Sequence, residues 1–492
     1  MRTFLILIDT LKRDYLKVYN EKSDVKTPNI DKLSEDCLCF DRHFVGSTPC
    51  MPARRDILTG RYNFLERSWG PIEAYDNTFV KILSEKNIYT HLVTDHTHYF
   101  RIGGEGYINQ YNTWDFQRGQ EGDPWVSRIE DPDFMPDKYY GKLRRQYQLN
   151  RTKWQNDADM YPTPRTFQSA MEFVEENKDQ DDYFLQVEVF DPHEPFDVPD
   201  EYLELYTDKK LDRYFETPLY NEVDVPNEAL EYIKNRYKAL LTMTDFYLGK
   251  FIDKLKKLNI YDDSLIILTS DHGFLLGEKG LLGKNYPHHY NELALIPLLI
   301  KDPDMKRKGE RTKNLSQNVD LYNTILDYYN INSPNNNISK SLKPIFDYKN
   351  NQKRFALYGM HGSTVNVCDG KYTYLKAPNK KNKPLYEYST SLSTIRGYLG
   401  SNNPKEVECG HFLNSTDYPV YKIPVNTPSQ LVGLGDLSKF ISKSHLYDIE
   451  NDYNQQYDIM DYDMRLKYDE FLKNCLLEVE APKEQLERLD LV

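Results

Sequence analysis

Short, almost wholly apolar segments that alternate with helical patterns constrain the fold of this chain more than any other feature. Four of them are Thr3–Ile8, Tyr183–Phe190, Ser264–Thr269 and Ile296–Ile300. A strand that is apolar on both faces is typical of a parallel sheet covered by helices on both sides. The sequence therefore predicts an α/β fold, with a large, mostly parallel or mixed sheet sandwiched between helices.

The C-terminal part of the chain has a different pattern. A polar, asparagine-rich stretch follows Ser333, and from Arg354 the chain has short alternating segments such as Thr364–Val367 and Tyr372–Leu375. Such alternation is typical of strands that are buried on one face. We therefore predict one large domain over residues 1–353 and a smaller C-terminal α+β domain over residues 354–492, built on an antiparallel sheet.

Charge and hydropathy argue against two classes of partner. The 492 residues include 63 Lys and Arg against 76 Asp and Glu, a formal net charge of −13, whereas nucleic-acid binding requires a basic patch. The N-terminal apolar run is too short for a signal peptide and ends at Asp9, and no other segment approaches the length of a membrane span. We therefore expect a cytoplasmic protein that binds neither nucleic acid nor membranes.

Several polar side chains come directly after predicted strands. Asp9 follows the first apolar run, His193 follows the second and Asp271 follows the third, while His96 comes just after a further strand candidate at Tyr89–Thr94. The carboxyl ends of parallel strands meet at one edge of a sheet, which is where α/β folds place their ligands. We therefore expect these side chains to share one site.

A cysteine motif precedes a predicted helix. The segment Cys50–Arg54 has the spacing Cys-x-Pro-x-Arg and is followed by Leu58-Thr59-Gly60-Arg61. A thiol at a helix N-terminus beside a guanidinium is expected to have a lowered pKa. The pattern resembles the first sulfatase signature, in which the cysteine is oxidised to formylglycine and the hydrate of that aldehyde is the nucleophile.

Two further motifs match the same family. Asp271-His272-Gly273 offers one carboxylate and one imidazole to a cation, and the match to the second sulfatase signature continues as far as Lys284. His193 lies in the segment Asp191–Phe196, which is similar to the family's Pro-His-x-Pro segment. The prolines on either side of this histidine favour a stiff, extended loop.

The chain thus resembles the formylglycine-dependent sulfatases of the alkaline-phosphatase-like superfamily. The resemblance implies a sulfuric ester hydrolase whose catalytic domain is the first 353 residues. It implies formylglycine made from Cys50 by a maturase, and one divalent metal, which is calcium by family, with manganese or zinc as alternatives. The implied metal ligands are Asp9, Cys50, Asp271 and His272. The implied catalytic residues are Cys50, Arg54 to hold the nucleophile and the sulfuryl oxygens, His193 as general acid and Lys284 to bind the anion.

Two departures from the family pattern bear on the chemistry. Thr10 follows Asp9 where many sulfatases have a second acidic ligand, and Asp95-His96-Thr97-His98 stands where many have Gly-Lys-Trp-His. We expect His96 and His98 to take over part of the substrate binding of the missing lysine. With fewer carboxylates and one imidazole, the ligand set is similar to that of the phosphonate monoester hydrolases, which are close relatives.

Three functions therefore stay open at this point. The first is hydrolysis of a small sulfated sugar, aryl sulfate or alkyl sulfate. The second uses the same residues on phosphonate monoesters or phosphodiesters. The third is a non-catalytic protein that binds anions and retains Cys50 as a cysteine.

Overall fold

Eight strands form the main sheet of the protein. A computed structural model describes residues 1–154, 157–211, 213–284, 288–334, 337–350, 354–394, 397–398, 404–426 and 441–492. The strands of the main sheet are β1 (Arg2–Ile8), β2 (Leu38–Phe40), β3 (Tyr89–Thr94), β4 (Thr113–Phe116), β5 (Tyr183–Val189), β6 (Leu265–Thr269), β7 (Leu298–Lys301) and β8 (Arg311–Thr312).

The order of the strands across this sheet is β8-β2-β7-β6-β1-β5-β3-β4. β1 pairs in parallel with both β5 and β6, and β3 pairs in parallel with β4 and β5. β7 is antiparallel to its neighbours β6 and β2, whereas β8 is parallel to β2. The predicted mixed, mostly parallel sheet is confirmed.

Helices cover both faces of the main sheet. The α-helices are α1 (Pro28–Ser34), α2 (Cys50–Thr59), α3 (Asn63–Glu66), α4 (Phe79–Glu85), α5 (Arg145–Asn150), α6 (Pro162–Glu176), α7 (Asp200–Leu203), α8 (Asn227–Lys257), α9 (Asn291–Ala294), α10 (Asp320–Tyr328), α11 (Lys343–Phe346), α12 (Tyr462–Glu478) and α13 (Lys483–Arg488). Short 3₁₀ helices lie at Arg13–Tyr15, Thr97–Phe100, Ile108–Gln110, Arg151–Lys153, Ala158–Met160, Glu278–Gly280 and Pro404–Glu406.

The continuous apolar run of β1 is explained by burial on both faces. Phe4 and Ile6 belong to a core cluster that α6 and α8 complete. Leu5 and Leu7 point the other way, because successive side chains of a strand alternate, and they pack in a second cluster with α2, α4 and α10. Each of these four side chains is fully buried, so neither face of the strand tolerates a polar side chain without a partner.

The C-terminal part contains the predicted antiparallel sheet. Its strands are β9 (Ala356–Gly359), β10 (Val365–Cys368), β11 (Tyr372–Lys376) and β12 (His445–Asp448), each antiparallel to the next. Leu472 and Leu476 of α12 pack against this sheet in one core cluster with Val367 and Leu446. The predicted domain boundary at residue 353 lies outside the described residues and stays a prediction.

Smaller strands complete the described chain. They are grouped as Asn221–Glu222, Leu281–Gly283 and Leu275–Leu276; His43–Phe44 and Ser316–Gln317; Tyr386–Ser389, Val420–Pro424 and Glu408–Gly410; Ser393–Thr394 and Gly397–Tyr398. Among the described helices, none combines the length and the apolar composition needed to cross a bilayer.

The predicted strand bounds differ from the observed ones by one or two residues. The predicted strand Ile296–Ile300 begins at Leu298 and continues to Lys301. Pro297 precedes it and has no N–H to donate to a ladder, while its carbonyl oxygen accepts the Thr269 hydroxyl at 2.8 Å.

Candidate active site

The carboxyl ends of β1, β5 and β6 meet at one edge of the main sheet. Ile8 lies opposite Val189, and Leu7 lies opposite Thr269. The residues that follow these strands, Asp9 and Asp271 among them, therefore converge. The structure brings together the strand-end residues that the sequence placed at a shared edge.

Cys50 is the first residue of α2 and points into this convergence. It is only 2% exposed. Its Sγ lies 3.4 Å from Nε2 of His272, and the Lys284 Nζ donates to it at 3.1 Å. The thiol of the cysteine motif and the residues of the second motif therefore form one cluster.

The four predicted metal ligands form a compact donor set. Asp9, Cys50, Asp271 and His272 are all buried, and one ligand atom from each lies within 4.8 Å of the others. His272 is fixed by its Nδ1, which lies 2.9 Å from the Gly273 carbonyl oxygen, so Nε2 faces the cluster. Two carboxylates, one imidazole and one residue-50 atom suit a divalent cation.

Thr10 orients the two carboxylates of this set instead of adding a third. Its N–H donates to Oδ1 of Asp271 at 3.0 Å, and its hydroxyl donates to Oδ1 of Asp9 at 2.6 Å. A residue that binds both carboxylates fixes their rotation. Position 10 therefore holds a threonine that orients two candidate ligands.

Arg54 joins three carboxylates. Its Nη2 donates to Asp9 at 2.9 Å, its Nη1 to Asp271 at 2.7 Å and its Nε to Glu188 at 2.8 Å. Nη1 also donates to the Cys50 carbonyl oxygen at 3.0 Å. Most of its five N–H groups are therefore used within the protein, and Arg54 orients the candidate ligands.

The expectation of a lowered pKa at Cys50 is wrong for the thiol in this structure. Burial raises the pKa of Cys50 well above its usual value, and the carboxylate of Asp9 raises it further, against the opposing effect of Lys284. Arg54 does not outweigh these effects, because the carboxylates of Asp9 and Asp271 that it binds are themselves close to the thiol. For Asp9, burial would raise the pKa, but Lys284 and Arg54 lower it to about 2.

His193 lies four residues after the end of β5, with Glu194 beside it. Its Nδ1 is 2.6 Å from the Glu194 carbonyl oxygen and 3.2 Å from the carboxylate oxygen Oε2 of the same residue. The other oxygen of this carboxylate accepts the hydroxyl of Tyr220. Burial lowers the pKa of His193 to about 3, against the opposing effect of Glu194. The ring is therefore neutral near pH 7, with Nδ1 held by Glu194 and Nε2 left for other contacts.

His96 and His98 differ in their surroundings. His96 is fully buried and neither ring nitrogen has a hydrogen-bond partner among the described residues. Its Nδ1 lies 3.7 Å from Oδ2 of Asp9. His98 is already engaged, because its Nε2 lies 2.7 Å from Oε2 of Glu121. His96 is therefore the better placed of the two to meet a ligand.

Two acidic residues at this site were missed by the sequence analysis. Glu188 is a single acidic residue inside an apolar strand, and that interruption was the available signal. Glu121 belongs to a segment with little periodicity, where it pairs with His98, Arg101 and Arg144. No local pattern marks such a residue.

Comparisons with known proteins fit this geometry. The sulfatase family model matches residues 2–331. The chain belongs to the sulfatase family. An arylsulfatase of Clostridium perfringens is 24% identical over 449 residues, which cover 82% of this chain and 91% of that protein. An N-acetylglucosamine-6-O-sulfatase of Bacteroides thetaiotaomicron is 24% identical over 383 residues, covering 66% of this chain and 67% of that protein.

A solved structure supports the fold of this sulfatase. The phosphonate monoester hydrolase of Agrobacterium radiobacter superposes with a TM-score of 0.65 at 18% identity, covering 97% of this chain and 96% of that one. The predicted alkaline-phosphatase-like fold is confirmed. The protein is an enzyme of the sulfatase family, and hydrolysis of a sulfate ester is the activity that its family indicates.

Proposed function

We propose that this sulfatase hydrolyses sulfate esters with a formylglycine nucleophile made from Cys50 and one divalent metal. The convergence of Asp9, Asp271 and His272 on the first residue of α2 is the observation that carries the proposal. A side chain at that position lies beside the Lys284 ammonium and among the residues that would hold a metal. Formation of formylglycine requires a maturase as a transient partner.

The donor set fits a divalent cation. Asp9, Asp271 and His272 would hold it together with the modified residue 50. When bound, such a cation supplies Lewis-acid chemistry, because it stabilises the negative charge that develops on the ester. Calcium is the expectation from the family, while the imidazole of His272 suits manganese or zinc.

The remaining roles follow from the positions of the side chains. Lys284 is 5% exposed and would bind a sulfuryl oxygen, since its Nζ lies beside residue 50. His193 would donate a proton from Nε2 to the leaving oxygen, with Nδ1 held by Glu194. That role requires a protonated ring, which burial alone disfavours, so we infer that the anionic substrate and Glu194 together stabilise the imidazolium.

The substrate that we propose is a small sulfated molecule, with a sulfated sugar as the first choice. The Bacteroides relative is named for a sulfated amino sugar. An enzyme that acts in the cytoplasm would need its substrate to be imported. Import suits a small sugar, aryl or alkyl sulfate better than a polymer.

A phosphonate monoester or phosphodiester is the second candidate substrate. The observation that favours it is the reduced ligand set, in which Thr10 orients carboxylates and His272 supplies an imidazole. The non-catalytic anion-binding protein that the sequence left open is no longer a candidate, because the chain belongs to a family of enzymes.

One experiment separates the two candidates. A matured preparation is assayed with an aryl sulfate and an aryl phosphonate monoester that share one leaving group, and the mass of the Cys50 peptide is measured on the same preparation. We expect formylglycine at position 50 and a higher kcat/KM for the sulfate. A higher kcat/KM for the phosphonate would identify the second candidate, and inactivity with a fully converted residue 50 would refute both catalytic proposals.

A further inference from the structure

Glu188 lies inside the main sheet and is not part of the proposed chemistry. It is the sixth residue of β5 and is fully buried. Its Oε1 accepts the Arg54 Nε at 2.8 Å. Its Oε2 accepts the Tyr99 hydroxyl at 2.7 Å and Nε2 of Gln186 at 3.0 Å. All of its hydrogen bonds are therefore to protein groups, and its Oε1 also lies 4.0 Å from Nδ1 of His96.

The carboxylate of Glu188 is itself fixed in place. Gln186 precedes it by two residues on β5, so both side chains are on the same face of the strand. Gln186 is held in turn, because its Oε1 accepts the hydroxyl of Tyr111 at 2.7 Å. Tyr99 approaches from the segment after β3. With donors on two sides, the plane of the carboxylate cannot rotate without loss of a buried hydrogen bond.

Because the carboxylate of Glu188 is fixed and accepts the hydrogen bond from Nε of Arg54, it determines the orientation of the Arg54 guanidinium. The five N–H groups of arginine form a rigid planar fork. With Nε directed at Glu188, Nη1 reaches Asp271 at 2.7 Å and Nη2 reaches Asp9 at 2.9 Å. These two carboxylates are candidate metal ligands. Rotation of the guanidinium would displace its hydrogen bonds to Asp9 and Asp271.

We propose that Glu188 is a positioning residue that aims Arg54 at Asp9 and Asp271, and so presets the donor set for its cation. The inference rests on the proposed function for the identity of that set. Glu188 touches neither residue 50 nor Lys284 in any contact of the described structure. It acts through Arg54, in the way that outer hydrogen-bond partners of metal ligands fix ligand orientation.

The chain contains a matched control on the same helix. Arg55 follows Arg54, and its Nε donates at 2.8 Å to Asp76, another fully buried carboxylate. Arg55 makes its other contacts with Asn63 and Glu66. Asp76→Asn therefore removes the charge of a buried arginine partner without touching the candidate ligands.

The test compares Glu188→Gln with Asp76→Asn in two measurements. The first is the affinity of the metal-stripped protein for Mn²⁺ by calorimetry. The second is kcat and KM of the matured protein with an aryl sulfate. For Glu188→Gln we expect Mn²⁺ binding to weaken about 10-fold to 100-fold and kcat to fall by a similar factor. We expect KM to change less than about threefold, because Glu188 makes no hydrogen bond to residue 50 or to Lys284. We expect Asp76→Asn to leave both measurements within about threefold of wild type.

A milder variant keeps the inference testable if Glu188→Gln does not fold. Tyr99→Phe removes one hydrogen bond from Glu188 and leaves its charge in place. We expect weaker Mn²⁺ binding by about threefold to tenfold. Equal Mn²⁺ affinity of Glu188→Gln, Tyr99→Phe and wild type would overturn the inference. A wild-type preference for phosphonate would overturn the proposed substrate alone, since the Mn²⁺ titration does not depend on the ester.

Discussion

Substitution of Lys284 by methionine tests the proposed anion site most directly. Lys284 is 5% exposed, and its Nζ lies 3.1 Å from Sγ of Cys50 and 3.9 Å from Oδ1 of Asp9. Methionine fills most of the same space without the charge. The change therefore removes one cation from the side of the cluster where we place the sulfuryl oxygens.

Two independent arguments give the magnitude. Unit charges about 4 Å apart in an effective dielectric of about 20 attract by about 4 kcal/mol. Removal of one preorganised group that stabilises a developing anion costs about 3 to 4 kcal/mol in other enzymes, or about 10²-fold to 10³-fold in kcat. We expect kcat/KM of Lys284→Met on an aryl sulfate to fall by that factor.

Lys301 provides the control for loss of a buried lysine. It lies at the opposite edge of the main sheet, because β7 is antiparallel to β6, and its Nζ donates to the carbonyl oxygens of Asp262 and Ser264 at 2.8 and 3.2 Å. Lys301→Met should lower the free energy of unfolding and leave kcat/KM within about threefold. Initial rates are measured on matured proteins with equal formylglycine content. If Lys284→Met kept kcat/KM within about threefold of wild type, the assignment of the anion site to this edge of the sheet would be refuted.

Three further predictions concern the nucleophile, acid stability and the metal. Cys50→Ala should abolish turnover and leave the circular dichroism spectrum unchanged; residual turnover above that of a mock preparation would contradict a residue-50 nucleophile. Burial lowers the pKa of His361 to about 3, and its Nδ1 lies 3.0 Å from the Phe64 carbonyl oxygen. Because the ring binds a proton more readily in the unfolded chain, the free energy of unfolding falls as the pH drops below about 6.5. His361→Gln should reduce the loss of unfolding free energy between pH 7 and pH 5 by about 2 kcal/mol in urea titrations; an unchanged loss would contradict a neutral buried ring. Removal of divalent cations by a chelator should lower Tm by about 3 °C, and added Mn²⁺ should restore it; a Tm insensitive to both would argue against a cation in this donor set.

The sheet was predictable because strands that are buried on both faces have a recognisable apolar sequence. A strand such as β1, packed on both faces by helices, must be apolar at every position, and its run was visible as Thr3–Ile8. The exact ends were less predictable. They depend on single residues such as Pro297, whose missing N–H determines where pairing can begin.

The site was predictable only where chemistry requires a fixed spacing. Each of the two motifs, the cysteine motif and the Asp-His pair, lies within a few residues of sequence. Cys50 and His272 could therefore be recognised separately, although 222 positions separate them. The residues that orient these groups have no fixed distance from them along the sequence. Glu188 is 134 positions from Arg54, and only the fold shows that they meet at 2.8 Å.

The pKa of Cys50 shows why proximity in sequence is a poor guide to electrostatics. The spacing Cys-x-Pro-x-Arg correctly places Arg54 one helical turn from the thiol, with Nη1 at 3.0 Å from the Cys50 carbonyl oxygen. It does not show that three carboxylates share this guanidinium. Burial raises the pKa of the thiol, and the carboxylates of Asp9 and Asp271 raise it further.

The charge balance of the cluster indicates whether it can bind a monoanionic or a dianionic ester. Arg54 and Lys284 contribute two positive charges, while Asp9, Glu188 and Asp271 contribute three negative ones. Burial lowers the pKa of His272, so its ring adds no charge near pH 7. These five residues carry a formal charge of −1, and the carboxylate of Glu194 balances the imidazolium of His193 that general-acid catalysis requires. Without a metal the cluster would therefore repel an anionic ester. A divalent cation reverses that charge to +1, which balances a monoanion such as a sulfate ester or a phosphonate monoester, whereas the dianion of a phosphate monoester would leave one buried negative charge without a partner.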